Sequence, residues 1–243
     1  TGTGERIIPY AIVAAALAPP AGVTGLRGAQ VELVAAKNLG AWVSSLPSFE
    51  ARPEDLLTHH RVVERAGTAG AALPVRFGTS LHDRAALRDV LVRREPSLTA
   101  ALARVGRRRE LAVTLEWRTH PDTPTSEDAP DRAPQADTSS GGPGRRFLAE
   151  RARHWAAAEA RRARASHLSK LLHETLGAAG AVDDDIRARI VPAPRIALSC
   201  AILTDPSRAE EFMRRVRELA DTWDDVRVHL AGPWPPYSFS DTE

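Results

Sequence analysis

Apolar side chains along this chain recur in two rhythms, one of about two residues and one of three to four, and the rhythm changes mark the elements. Ile7–Ala15 is a short apolar run closed off by Pro19 and Pro20, which predicts a strand. Gln30–Ala36 and Leu39–Ser45 are apolar and β-branched around Lys37-Asn38, which predicts a hairpin, with Asn38 suited to a positive φ. Between Pro53 and Gly70, Leu56, Leu57, Val63 and Ala66 recur at helical spacing, with Gly67 and Gly70 as stop signals. Leu73–Gly78 is a short extended segment. Ser80-Leu81-His82-Asp83 matches a capping box and opens a helix through Val90 and Leu91. Pro96 is expected as a break before a second helical piece, Leu98–Val105. In Leu111–Trp117 the apolar positions Leu111, Val113, Leu115 and Trp117 alternate with the rest, the pattern of a half-buried strand.

Residues 119–144 interrupt this patterning. They hold no large apolar side chain and are rich in Pro, Ser, Thr, Gly and Asp. Such a stretch cannot bury enough surface to offset its ordering entropy, so a disordered, flexible insertion is expected. After it, Arg146–Leu176 predicts one long helix of roughly 45 Å at a rise of 1.5 Å per residue. Its apolar positions are Leu148, Ala152, Trp155, Ala165, Leu168, Leu172 and Leu176. Gly177 and Gly180 end it. Ile186–Val191 and Ile196–Leu203 predict strands, Pro206–Ala220 a helix with Phe212, Val216 and Leu219 on one face, and Val226–Leu230 a last strand.

From Leu111 onward the order is β-α-β-β-α-β, the split βαβ or ferredoxin-like arrangement. The expected fold class is therefore α+β with two domains. The first, residues 1–107, is mixed α/β around a small sheet. The second, residues 108–243, is a modified ferredoxin-like unit whose long first helix follows the insertion at 119–144.

Just before a four-residue tail the chain carries an octapeptide, Gly232-Pro233-Trp234-Pro235-Pro236-Tyr237-Ser238-Phe239, with three prolines and three aromatics. Prolines fix φ and remove backbone donors, so this run can neither continue a helix nor pair inside a sheet. Its aromatic rings are too costly to leave in water, so the segment is expected to be docked, strapping the ferredoxin-like unit whose last strand it leaves.

Composition adds three constraints. Hydrophobic residues make up 43% and charged residues 26% of the chain, a globular balance. The formal net charge is +2, too small for a nucleic-acid-coating surface, and Arg supplies nearly all the positive charge because Lys37 and Lys170 are the only lysines. A single cysteine, Cys200, excludes an internal disulfide and fits a cytoplasmic setting. Residues 10–18 are apolar but too short to cross a bilayer, and no targeting pattern precedes them.

Catalytic patterns are absent from the sequence. There is no phosphate-binding glycine loop, no dinucleotide fingerprint and no nucleophile elbow. The eight histidines form no metal-binding spacing; His59 and His60 are adjacent and cannot face one ion from a helix, and they read as solvent-exposed helix residues. Cys200 sits mid-strand among apolar neighbours and reads as a small core residue. Asp183-Asp184-Asp185 reads as a solvated charge run or a helix cap. No catalytic, cofactor-binding or metal-ligating residue is assigned, and no cofactor is expected. The strongest electrostatic feature is the basic helix after the insertion, with Arg151, Arg153, Arg161, Arg162 and Arg164 as a candidate docking face. An acidic partner protein suits it better than nucleic acid, because Trp155 is the only Trp, Tyr or Phe between Arg151 and Arg164.

Leu73-Pro74-Val75-Arg76-Phe77-Gly78-Thr79, with the preceding helix carrying His59-His60 and Val62-Val63, resembles the core signature of the GvpL/GvpF family of gas vesicle proteins. The opening strand around Tyr10-Ala11-Ile12-Val13 and the terminal octapeptide are similar to that family's two ends. The match covers the chain apart from the insertion. The resemblance implies two α+β domains, the second modified ferredoxin-like, and a non-enzymatic role as an accessory or minor structural component in gas vesicle assembly. It implies contact with the hydrophobic shell protein GvpA, which it would nucleate or chaperone, and with other accessory Gvp proteins, in the cytoplasm and in association with the vesicle. No small-molecule substrate and no membrane are implied. Leu73, Pro74, Arg76, Phe77 and Gly78, with Trp234, Pro235, Pro236, Tyr237 and Phe239, are the signature residues and candidate partner contacts. The alternative is a binding module without enzymatic activity that uses the basic helix to hold nucleic acid or an acidic partner.

Overall fold

The computed structural model describes residues 5–118, 143–191 and 195–240. The expected insertion at 119–144 lies outside the described residues except for Pro143 and Gly144, which open a helix. The elements in order are β1 (Arg6–Ala14), β2 (Glu32–Ala36), β3 (Leu39–Leu46), α1 (Leu56–Ala69), β4 (Ala72–Pro74), α2 (Arg84–Arg93) and α3 (Glu95–Val105). There follow β5 (Arg109–Trp117), α4 (Pro143–Ala178), β6 (Ile186–Ile190), β7 (Ile196–Thr204), α5 (Ala209–Ala220) and β8 (Val226–Trp234). The described residues fall into two compact units, one drawn from Thr1–Leu111, Ile202–Ala209 and Ala231–Glu243, the other from Ala112–Ala201 and Glu210–Leu230.

The first unit is built on an antiparallel sheet of order β2-β3-β1-β4. The β2–β3 hairpin forms where the sequence predicts it, but Lys37, not Asn38, takes the left-handed conformation (φ 52°). Strand β1 is central, and it carries Pro9. A proline there is tolerated because the ladder with β3 breaks register between Pro9 and Ala11. The extra residue, Tyr10, is fully buried, and its hydroxyl accepts the Leu26 N–H at 2.8 Å. Trp42 is also fully buried, its indole N–H donating to the Leu17 carbonyl at 2.8 Å.

Helix α1 lays His59, Val62, Val63 and Ala66 inward, a stripe stepping by three and four. Leu56 and Leu57, expected on that apolar stripe, are instead 49% and 69% exposed. Helix α2 is capped by Asp83, whose carboxylate accepts the Ala86 N–H at 2.7 Å, so Asp83 does the capping expected of Ser80. The chain breaks at Arg94 between α2 and α3, so the expected second helical piece is present, starting at Glu95 with Pro96 in its first turn.

The second sheet runs β6-β7-β5-β8. In the β-α-β-β-α-β order this places the first strand between the third and the fourth, the ferredoxin-like arrangement the sequence predicts. Helix α5 buries Phe212 and Val216, and α4 buries Ala165, Leu168, Leu172 and Leu176. The N-terminal half of α4 departs from expectation. Leu148 and Trp155 are 64% and 71% exposed, and every side chain from Glu150 to Ala160, Ala152 included, is exposed. Apolar spacing of three and four is shared by both halves, yet only the C-terminal half has a core against it. Cys200, in β7, is buried, and burial pushes its thiol up to about 12, the opposite of the shift a nucleophile requires. Among the described residues no helix is long and apolar enough to cross a membrane.

Candidate partner-binding surface

Strand β8 continues through Gly232 to Trp234, longer than the predicted Val226–Leu230. Its place at the sheet edge explains how Pro233 is accommodated. Gly232 adopts φ 111°, and a Cβ there would lie 2.7 Å from the Glu110 carbonyl oxygen, so only glycine fits the close approach.

Beyond β8 the chain folds onto the first unit. Pro235 and Pro236 are buried, and Tyr237 packs against the core of the first sheet. Ser238 donates twice to Glu110, from its backbone N–H and from its hydroxyl, each at 2.7 Å. Glu110 is 7% exposed, so these bonds help hold a carboxylate removed from water. Phe239 is 2% exposed, with the Arg104 guanidinium 5.5 Å from its ring centroid. The segment is docked as the sequence predicts, but on α1, α3 and the start of β5, where a strap on the ferredoxin-like unit was expected.

The adjacent histidines of α1 join the two signature segments. His60 faces the terminal octapeptide: its ring lies 5.5 Å from Trp234, edge to face, and 6.0 Å from Tyr237, stacked, with Nδ1 3.2 Å from the Tyr237 hydroxyl. Burial pushes the Tyr237 hydroxyl up to about 12, with Glu64 and Glu110 adding to the rise. His59 points the other way, 5.5 Å from Phe77 and 5.2 Å from Tyr10. It is 1% exposed, which corrects the expectation of solvent-exposed histidines. Its ring hydrogen-bonds the Pro9 carbonyl, while its Nε2 has no partner. The bonded nitrogen is therefore Nδ1, donating as the neutral tautomer. Neither histidine was legible as a contact residue; the signal available was their adjacency, which on a helix sends neighbours to different faces.

Burial lowers the His59 pKa from 6.5 to about 4. The folded state thus binds fewer protons than the unfolded state between those values, and stability rises with pH across that window. The contribution is fully present above pH 6.5 and is lost as the pH falls toward 4, by about 3 kcal/mol at 1.36 kcal/mol per unit. Urea unfolding of the wild-type chain and of His59→Phe across this range checks it. The wild type should lose that much more stability than the variant; parallel curves would contradict a buried neutral histidine.

The remaining signature residues divide by exposure. Leu73 and Pro74 are buried in β4, and Phe77 is half-buried over His59. Arg76, Gly78 and Trp234 are exposed. Gly78 has φ 93°, a turn conformation suited to glycine. Leu56 and Leu57 lie one turn before His60, so two exposed leucines and the exposed Trp234 gather around one end of α1. Sequence patterning missed the two leucines because their spacing also fits a core stripe.

The basic face of α4 divides too. Arg164 is engaged in a two-pronged pair with Asp225, at 2.8 and 3.0 Å, which raises the guanidinium pKa and lowers that of the carboxyl. Arg161 is half-buried, its guanidinium 5.8 Å from the centroid of the Trp117 ring. Arg151, Arg153 and Arg162 are exposed.

The sequence profile of the family described as "Gas vesicle synthesis protein GvpL/GvpF" matches residues 7–241. The chain belongs to the GvpL/GvpF family. Gas vesicle protein L of a Streptomyces strain is 28% identical over 239 residues, covering 91% of this chain and 87% of that protein. Gas vesicle protein L2 of Halobacterium salinarum is 28% identical over 255 residues, covering 95% and 90%. The crystal structure of the gas vesicle protein GvpF from Anabaena superposes with a TM-score of 0.72 at 16% identity, covering 98% of this chain and 97% of that one. GvpF from Microcystis aeruginosa gives 0.70 at 16% identity, covering 99% and 100%. The GvpL/GvpF match runs from β1 to the terminal segment, so it takes in both segments that meet on α1.

Proposed function

We propose that this GvpL/GvpF chain acts in gas vesicle assembly as a non-enzymatic accessory protein that binds the hydrophobic shell protein GvpA and nucleates or chaperones it. The observation that carries the reading is the family match, which takes in residues 7–241. A subunit that lines a gas space is strongly apolar and would aggregate before assembly, so a partner that covers it is required. Leu56, Leu57 and Trp234 supply exposed apolar surface on the first unit, rimmed by Arg61 and Arg65. In this reading Arg76 and Gly78 lie at the edge of the contact, while Leu73, Pro74, Pro235, Pro236 and Phe239 shape it from beneath. Other accessory Gvp proteins are partners in the same assembly, in the cytoplasm and at the vesicle.

Fractionation of vesicle-making cells tests the role. The protein should be recovered with the vesicle fraction or in a complex with GvpA. Its absence from both would sink the proposal.

A further inference from the structure

Among the described residues, the N-terminal half of α4 is a long exposed element that this function leaves unused. From Arg145 to Arg162 it extends about 27 Å at 1.5 Å per residue. All the described side chains of this stretch are exposed apart from Arg161. A helix that merely links two elements in water carries polar side chains all round. This one instead presents Leu148, Ala152 and Trp155 at four- and three-residue steps, the spacing of one coiled-coil seam, with Phe147 beside it. Phe147, Leu148 and Trp155 are 59%, 64% and 71% exposed, large apolar surfaces whose cost in water is relieved only by a partner. The seam is rotated around the helix from the stripe at Leu168, Leu172 and Leu176 that faces the sheet, so it is not an overflow of the core.

Charge narrows the occupant. Residues 145–162 hold six arginines against Glu150 and Glu159, a formal charge of +4 with histidine neutral. Arg151 lies on the turn between Leu148 and Trp155, and Arg162 lies two turns beyond Trp155 on the same side. Two copies of this arm laid side by side would oppose like charges. A nucleic-acid backbone would satisfy the arginines but leave the leucine and tryptophan without a role.

We propose that residues 145–162 of α4 form a docking helix for an acidic amphipathic helix of a partner protein, with Leu148, Ala152 and Trp155 as its seam and Arg151 and Arg162 as flanking charges. The seam buries Trp155 against an apolar row of the partner. The arginines pair with acidic side chains beside that row and set its register. This does not rest on the vesicle reading, since any protein with such a helix fits it.

The test uses the full chain and a labelled three-heptad helical peptide with Leu at the two seam positions of each heptad and Glu at the flanking positions. Fluorescence anisotropy should show a Kd of about 1–100 μM, in keeping with a single short seam at the small end of specific interfaces. Leu148→Ala with Trp155→Ala should weaken binding at least tenfold, and so should Arg151→Glu with Arg162→Glu. All four positions are exposed, and circular dichroism unchanged from wild type confirms that α4 persists. Binding that survives the apolar pair would reduce the contact to bulk charge and overturn the proposal. So would equal binding of the same peptide with Lys in place of Glu, or tighter binding of a labelled single-stranded oligonucleotide. Sedimentation showing a dimer that Trp155→Ala dissolves would assign the seam to a second copy and overturn it as well.

Discussion

Phe239→Ala is expected to destabilise the first unit by about 3–5 kcal/mol, the range for removing a fully buried phenylalanine. The ring is 2% exposed and lies under the Arg104 guanidinium. Its loss leaves a cavity and also loosens the residues before it, where Ser238 holds the Glu110 carboxylate and Tyr237 stacks on His60. The unfolding midpoint should fall by roughly 10 °C for a chain of this size. Limited proteolysis should cut the variant after Trp234 first. An unchanged midpoint and an uncut terminus would show that the last residues are decoration rather than part of the first unit's core.

The second large effect is a contrast within one helix. Leu172→Ala in α4 should cost about 2–5 kcal/mol, because Leu172 is 1% exposed against the second sheet. Leu148→Ala, the same substitution in the same helix at a residue 64% exposed, should change stability by less than about 0.5 kcal/mol. Leucine and alanine are both good helix formers, so propensity does not blur the comparison. Urea unfolding of the two variants measures it. Similar losses would mean that the first half of α4 is packed after all, and the docking-helix proposal would fall with it.

The two halves of α4 also show where sequence reading stops. The β-α-β-β-α-β order after Leu111 was legible because each strand has its own apolar rhythm and the turns are punctuated by Gly and Pro. What faces a helix is not written in that rhythm. Leu148, Ala152 and Trp155 step by four and three, Leu168, Leu172 and Leu176 by four and four, both helical spacings, and only the sheet decides which triplet is buried. Leu56 and Leu57 misled for the same reason, since the stripe of α1 that meets its sheet is His59, Val62, Val63 and Ala66.

Contacts between residues distant in sequence were harder still. The octapeptide was legible as a docked segment from its prolines and rings, but not its landing place, because Glu110 and His60 carry no mark of the partners they meet. His59 was misjudged as exposed because a histidine is ordinarily half in water. Its ring N–H meets the carbonyl of Pro9, a residue at the register break of β1, and nothing in the local sequence marks that partner. The resemblance in Leu73–Thr79 and the terminal octapeptide, by contrast, located both segments that meet α1, although it gave no hint that the His59-His60 pair joins them.

Engagement of the vesicle shell protein, as proposed for this chain, is tested by co-expression with GvpA. GvpA and the tagged chain would be produced together in a host without other vesicle proteins, and soluble extract passed over the tag. GvpA should be retained in the soluble fraction and co-elute, and Leu56→Ser with Leu57→Ser and Trp234→Ala should reduce its recovery by at least tenfold. GvpA that pellets equally with and without the chain, and never co-elutes, would rule out the proposed contact.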